Sequence, residues 1–340
     1  MNASRTWVSV SVVVAGLVSA ASAVNIDLVT VGNPGNAPDT RYNSIAVGGV
    51  AYTYQISKFE VTAGQYAEFL NKVAGVDTYG LYNTKMWSYS EGCKIRRTTG
   101  GSGNYSYLVD ANGDGKEDAD WVNRPVNYVS WGDAVRFANW LHNGQPTGAQ
   151  NLSTTEDGAY YLNGATTDAQ LMAVTRKANA TWVVPSEDEW YKASYYSGSG
   201  STYYDYPTGT NSTPSNDLLT PDGGNNANFW QDGGYTIGSP YYRTAVGEFE
   251  LSDSPYGTFD QGGNVFEWNE AVIGSSRNMR GGGFQDNDSP QRAAVRAYYA
   301  GPAYDQYYLG FRVAEVPEPA TAGLFLLGGL LVARCRRALR

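Results

Sequence analysis

The residues able to do chemistry in this 340-residue chain are mostly acidic. Asp110, Asn112 and Asp114 stand at alternate positions with Gly115 sixth, the spacing of a calcium loop, where the sharp turn at the glycine lets each oxygen point inward. Position twelve is Trp121 rather than the bidentate glutamate of a complete loop, so Asp118 or Asp120 must close the shell, at weaker affinity. The alternative is an Asx-rich surface turn. Glu267 with Glu270, or Glu187 with Glu189, could pair for glycoside hydrolysis, but sequence spacing does not fix the carboxylate separation that chemistry requires. A nucleophilic triad would have to use His142, the single histidine. At the end of an amphipathic segment it is better placed to cap carbonyls. One histidine also excludes three-His zinc and two-His iron centres.

The elements that must position these residues are few. Thr62 with Gln65 forms a capping box ahead of the stripe Tyr66, Phe69, Leu70 and Val73, which predicts a helix. Ser130 opens a second, with Ala134, Phe137, Ala138 and Leu141 at helical spacing. Ser186 with Glu189 opens a third, running into Trp190 and Ala193. Strands are expected at Val47–Tyr54, Thr181–Val184, Met279–Phe284 and Leu309–Val313. The stretch from Ser197 to Gly263 is rich in Gly, Asn, Asp, Ser and Tyr and reads as long ordered loops. No repeat or linker divides the chain, so the expectation is one α+β domain of low regular secondary structure. The 40 Gly and 27 Tyr fit irregular segments pinned by amphipathic rings.

Both ends read as addresses. Residues 1–23 combine Arg5, an apolar run from Val8 to Val18 and Ala21-Ser22-Ala23, which predicts a secretory signal peptide. Residues 316–340 hold Pro317-Glu318-Pro319, an apolar run from Thr321 to Ala333, and Arg334, Arg336, Arg337 and Arg340. The run is short for the ~20 residues of a stable span, so a transient or processed anchor is expected. These three parts in order resemble the PEP-CTERM sorting tail of bacterial envelope proteins. The resemblance implies an exosortase as partner, and localisation beyond the inner membrane in the envelope or medium, with a C-terminal anchor that is cleaved. Without both addresses the chain keeps 19 basic and 32 acidic side chains, a net of −13, which argues against nucleic acid as a partner. It also keeps only Cys93, because Cys335 lies in the tail, so no internal disulfide is possible.

Seven motifs between Ala46 and Val313 resemble, in order, the formylglycine-generating enzyme (sulfatase-modifying factor) family. They are Phe59-Glu60-Val61-Thr62, the run Arg124 to Trp131, the run Val184 to Trp190, Tyr206-Pro207-Thr208-Gly209, Gly262 to Trp268, Arg280-Gly281-Gly282-Gly283-Phe284, and Gly310-Phe311-Arg312-Val313. The resemblance implies a variant of the C-type lectin fold over residues 24–315. It does not carry the activity with it. Family oxidases hold copper(I) on two cysteines after the Arg-Gly-Gly motif, whereas Phe284 to Arg292 contains none, so no copper and no cysteine oxidation are expected.

The resemblance also implies calcium at Gly263, Val265 and Glu267, and a second ion at the Asn228-Phe229 backbone pair. Last, Tyr298, Tyr299, Tyr304, Tyr307 and Tyr308 crowd one stretch, the composition of adaptable recognition loops. Relatives present ligands near this region, and aromatic faces stack on sugar rings. The expected function is a non-catalytic, secreted, calcium-stabilised module that binds a glycan or an envelope or extracellular protein. The alternative is an enzyme of the sulfatase-modifying type with an unrecognised mechanism.

Overall fold

The computed structural model describes residues 23–318 apart from 43–44, 99, 200–201 and 297. Most of the expected signal peptide and nearly all of the sorting tail lie outside the described residues, and so does Cys335. Among the described residues no helix is long and apolar enough to cross a membrane.

Helix α1 (Ala63–Val73), helix α2 (Trp131–His142) and helix α3 (Glu187–Tyr195) begin where the caps place them. Each carries a complete capping box: Thr62 with Gln65, Ser130 with Asp133, and Ser186 with Glu189. These reciprocal bonds satisfy backbone N–H groups that a helix start leaves orphaned. Helices α1 and α2 bury their aromatic stripes against one another and against Phe311 of the C-terminal segment. Phe69 packs on Phe137 and on Trp140 at 5.2 Å in each case, and Phe137 on Phe311 at 5.4 Å.

Two small sheets flank this core. One is antiparallel, in the order Leu28–Val31, Tyr54–Ser57, Ala314–Glu315, Trp182–Val183. The other runs Tyr299–Ala300, Ser276–Arg280, Phe266–Ile273, Leu309–Gly310, and its last pair is parallel. The first sheet therefore receives its third strand from the end of the domain.

The expected strands need correction. Over Val47–Tyr54 only Val47 makes an isolated bridge, to Asp39, and strand pairing begins at Tyr54. Gly48 has a φ of 85° and a Cβ there would meet Tyr191 at 2.8 Å, so the chain bends under a tyrosine cluster instead of extending. Thr181–Val184 narrows to Trp182–Val183, Met279–Phe284 shifts to Ser276–Arg280, and Leu309–Val313 narrows to Leu309–Gly310, with the short strand Ala314–Glu315 just beyond it. The eight-residue strand Phe266–Ile273 was not expected. Its Glu267 and Glu270 break the apolar alternation that marks a strand, because both are ion-paired inside the protein.

Candidate functional site

The carboxylates that might have formed catalytic pairs are each committed to a guanidinium. Glu267 accepts from Arg312 Nε at 2.6 Å and Nη2 at 2.7 Å, and from the Trp190 indole at 2.7 Å. Arg312 spends its remaining N–H groups on the carbonyls of Ser57 at 2.9 Å and Phe259 at 2.8 Å. Both side chains of this pair are fully buried. Glu187 at the start of α3 bridges Arg280 and Arg296, each at 2.6 Å. Glu189 pairs with Arg176, which also reaches Glu270 at 2.9 Å. In spite of burial, these hydrogen bonds and charges hold Glu187 and Glu189 below the usual carboxylate range. Each of these four acids is thus bound to at least one arginine. His142 ends α2 and its Nδ1 lies 2.7 Å from Thr181 Oγ1, while Cys93 is buried, where desolvation raises the pKa of its thiol.

Glu267 is thus the partner of Arg312, so a cation held there, as the resemblance implies, would share these oxygens with a guanidinium. Beside it lies a group with charge to spare. Glu60 is buried, its Oε2 accepts from Asn264 Nδ2 at 3.3 Å, and its Oε1 has no partner among the described residues. Asn264 Oδ1 in turn accepts from Asn228 Nδ2 at 2.7 Å, and Asn228 Oδ1 is likewise buried without a partner. Asn228 bridges Gly263, whose φ of 91° and close approach to the Asn228 carbonyl leave no room for a Cβ. Burial, reinforced by Asp260 and Glu267, pushes the Glu60 pKa well up. Burial likewise pushes Asp260 up to about 6, although the Gly247 N–H at 2.6 Å pulls the other way. Three carboxylates here face one guanidinium. Among the described residues no three His, Cys, Asp or Glu side chains form a metal cage, so a hard cation would have to draw on carbonyl oxygens as well.

The Asp110 loop is a separate structure, at the end of the hairpin formed by Ile95–Thr98 and Ser106–Val109. Asp110 accepts from the N–H groups of Gly113, Asp114 and Gly115 at 2.6–3.1 Å and from Arg96 at 2.7 Å. Asp118 accepts from Ala111 N at 2.6 Å and Asn112 Nδ2 at 3.0 Å, and Asp114 accepts from Lys116 N at 2.9 Å. Asp110 and Asp118 draw the loop together, but it closes on its own N–H groups, Asp114 turns to Lys116, and Arg96 already neutralises Asp110.

The tyrosines divide. Tyr298 packs on Phe266 at 4.7 Å, Tyr307 on Tyr308 at 5.1 Å and on Phe284 at 6.1 Å, and the Tyr307 hydroxyl donates to Gln285 at 2.6 Å. Tyr299 and Tyr304 are instead 51% and 41% exposed. Rings continue from Phe284 through Tyr242 and Tyr235 to Trp230, a run that sequence reading missed because the residues are scattered over 55 positions of loop. Two small cavities lie near the Arg-Gly-Gly motif. Arg296 borders a cleft of about 10 Å³ and Arg292 one of about 190 Å³. Asp286 accepts from the Gly283 N–H at 3.1 Å.

This arrangement, short helices and two small sheets wrapped by long loops and crossed by buried Arg–carboxylate pairs, has the architecture of a formylglycine-generating-enzyme-like domain. The chain belongs to the sulfatase-modifying factor enzyme 1-like domain family, whose model matches residues 32–316. Among solved structures it is similar to CarF, at 19% identity and a TM-score of 0.53, covering 86% of this chain and 99% of that one. It is also similar to the Treponema denticola variable protein 1, at 17% identity and a TM-score of 0.51, covering 85% of this chain and 95% of that one. These likenesses show the fold. None of the curated proteins matches the sequence.

Proposed function

We propose that the protein is a non-catalytic binding module of the cell envelope, whose ligand is a glycan or an envelope or extracellular protein. The observation that carries this reading is the exposure of Tyr299 and Tyr304 beside Tyr298, Tyr307 and Tyr308, which are fixed by packing. Rigid aromatic anchors with wet hydroxyls supply contact area at low entropic cost. The pairing of every candidate catalytic acid with an arginine supports the non-catalytic half of the reading. In this proposal a signal peptide exports the chain, the Pro-Glu-Pro tail anchors it transiently, and an exosortase removes the tail.

Calcium belongs to the same proposal as a stabiliser. The interior position is the better supported, because Glu60 Oε1 and Asn228 Oδ1 are orphaned oxygens within a surplus of negative charge. Glu60 and Asp260 would hold the ion with Asn228, Gly263 and Val265, and its charge would offset the surplus. At the Asp110 loop an ion held by Asp110, Asn112, Asp114 and Asp118 has to displace Arg96.

A glycan array and an immobilised-protein screen test the binding role, with a Tyr299→Ala/Tyr304→Ala variant as control. Binding that disappears in the variant is the expected result, and binding that persists unchanged rejects the face. A sulfatase-derived peptide incubated with the protein, copper and oxygen is expected to keep its cysteine thiol. An aldehyde product by mass spectrometry would put the enzymatic reading ahead.

A further inference from the structure

The 190 Å³ cavity beside Arg292 shares no residue with the exposed tyrosine face. Its polar lining comes from Tyr42, Asp205, Tyr206, Asn211, Thr213 and Arg292. Three loops that are far apart in sequence build it, and hydrogen bonds lock them. Ala293 N donates to Asp205 O at 2.9 Å, joining the Arg292 loop to the Tyr206 loop, and Asp205 N donates to Asn211 Oδ1 at 3.0 Å. The Tyr42 hydroxyl donates to Asp205 Oδ1 at 2.6 Å, and the Tyr206 hydroxyl to Asp288 Oδ2 at 2.8 Å.

The charges around the cavity cancel locally. Arg292 pairs with Asp288 at 2.8 Å, and Asp205 with Arg41 at 3.0 Å. Both ring systems carry a guanidinium: Arg41 lies 4.8 Å from the centre of the Tyr42 ring and Arg292 lies 5.5 Å from that of Tyr206. An ion entering this cavity would find its opposite charge already neutralised. A neutral ligand rich in hydroxyls would not have that difficulty. The Asn211 Nδ2 group and Arg292 Nη1 have no partner among the described residues, and Asp205 keeps lone pairs within reach. Each such group fixes one hydroxyl in direction. The volume is well under the ~300–1,000 Å³ of a drug-sized pocket, and suits a single ring.

We propose that this cavity is a subsite for one neutral pyranose ring, which makes the protein a glycan binder with a second contact point apart from its tyrosine face. The proposal rests on the binding-module reading and narrows it to a carbohydrate. Neutral hexose is favoured over a uronic acid by the charge balance.

The test is saturation-transfer NMR with titration calorimetry, using the methyl glycosides of glucose, galactose and mannose, with glucuronate as the charged comparison. At least one neutral glycoside is expected to bind saturably, with little dependence on salt. Thr213→Trp, which fills the rim, and Asn211→Asp, which keeps the acceptor for the Asp205 N–H but removes the donor, are each expected to weaken that binding about tenfold or more, a loss of about 1.4 kcal/mol or greater, with an unchanged melting temperature. Tyr299→Ala/Tyr304→Ala is expected to leave it intact. Saturable binding that survives in folded Thr213→Trp overturns the subsite, as does binding of glucuronate alone with steep salt dependence. If larger glycans bind and respond only to the tyrosine variant, the subsite fails while the binding module stands. If no glycan of any size binds, the subsite fails, and the module remains only as a protein binder.

Discussion

The buried acid–arginine layer and the C-terminal tyrosine face use polar side chains in opposite ways. In the layer, Glu267, Glu189 and Glu187 are each tied to a guanidinium and their carboxylates are buried. On the face, Tyr299 and Tyr304 project from a packed aromatic base and their rings remain free for a partner. In a buried layer of this kind, removing one member leaves an uncompensated charge, whereas an exposed ring contributes little to folding. Stability and the proposed recognition would therefore reside in different residues, and the two can be changed separately.

The sharpest way to break that division is Arg312→Ala, which leaves Glu267 buried without its counter-ion. A loss of about 3–5 kcal/mol is expected, read by denaturant or thermal unfolding. A replacement that unfolds no more readily than the parent would show that the pair is not holding the layer. Next in size is calcium: excess EDTA is expected to lower the melting temperature, since an ion at 100 times its Kd adds about 2.7 kcal/mol. Glu60→Gln is expected to remove that EDTA sensitivity, while Asp114→Ala in the exposed loop retains it. The reverse result would move the ion to the Asp110 loop.

The acid surplus also sets a pH dependence. Asp260 is raised to about 6 and Glu60 lies well above its ordinary value, both chiefly by burial, so in the folded state each holds a proton that the unfolded chain has already lost. The groups facing Asp260 are the Gly247 N–H, Arg312, Glu267 and Glu248. For the calcium-free protein both contributions are full below about pH 4; that of Asp260 declines as pH rises through about 6, and that of Glu60 as pH rises through its own raised pKa. Saturating calcium is expected to flatten or invert that slope in thermal scans, because a bound cation favours the ionised form. Smallest in stability is Tyr299→Ala, which is expected to stay within about 0.5 kcal/mol of the parent while weakening ligand capture. A large loss of stability there would place this ring in the folding half of the division.

How much of this was legible in the sequence depended on how local the cause was. Thr62, Ser130 and Ser186 act on N–H groups three residues away, so all three helix starts could be read directly. The strand Phe266–Ile273 could not, because Arg176 and Arg312, distant in the chain, make its acidic residues acceptable inside. The Glu267 motif was visible, but its partner was not. Similarly, the spacing of the Asp110 loop admitted both an ion site and an Asx-rich turn, and nothing in that spacing announced Arg96. The orphaned oxygen of Glu60 depends on what fails to reach it, which no linear pattern encodes.

The placement of Ala314–Glu315 between Tyr54–Ser57 and Trp182–Val183 has a consequence for the order of events in biogenesis. An inner strand of the sheet is the last part of the domain to be synthesised, and Arg312 just before it seals carbonyls some 255 residues upstream. Until that segment arrives, neither the complete sheet nor the Arg312–Glu267 pair can form, so closure of the fold waits for the end of the domain. For the export route proposed above, that order would postpone completion of the fold until almost the whole domain has been made and moved.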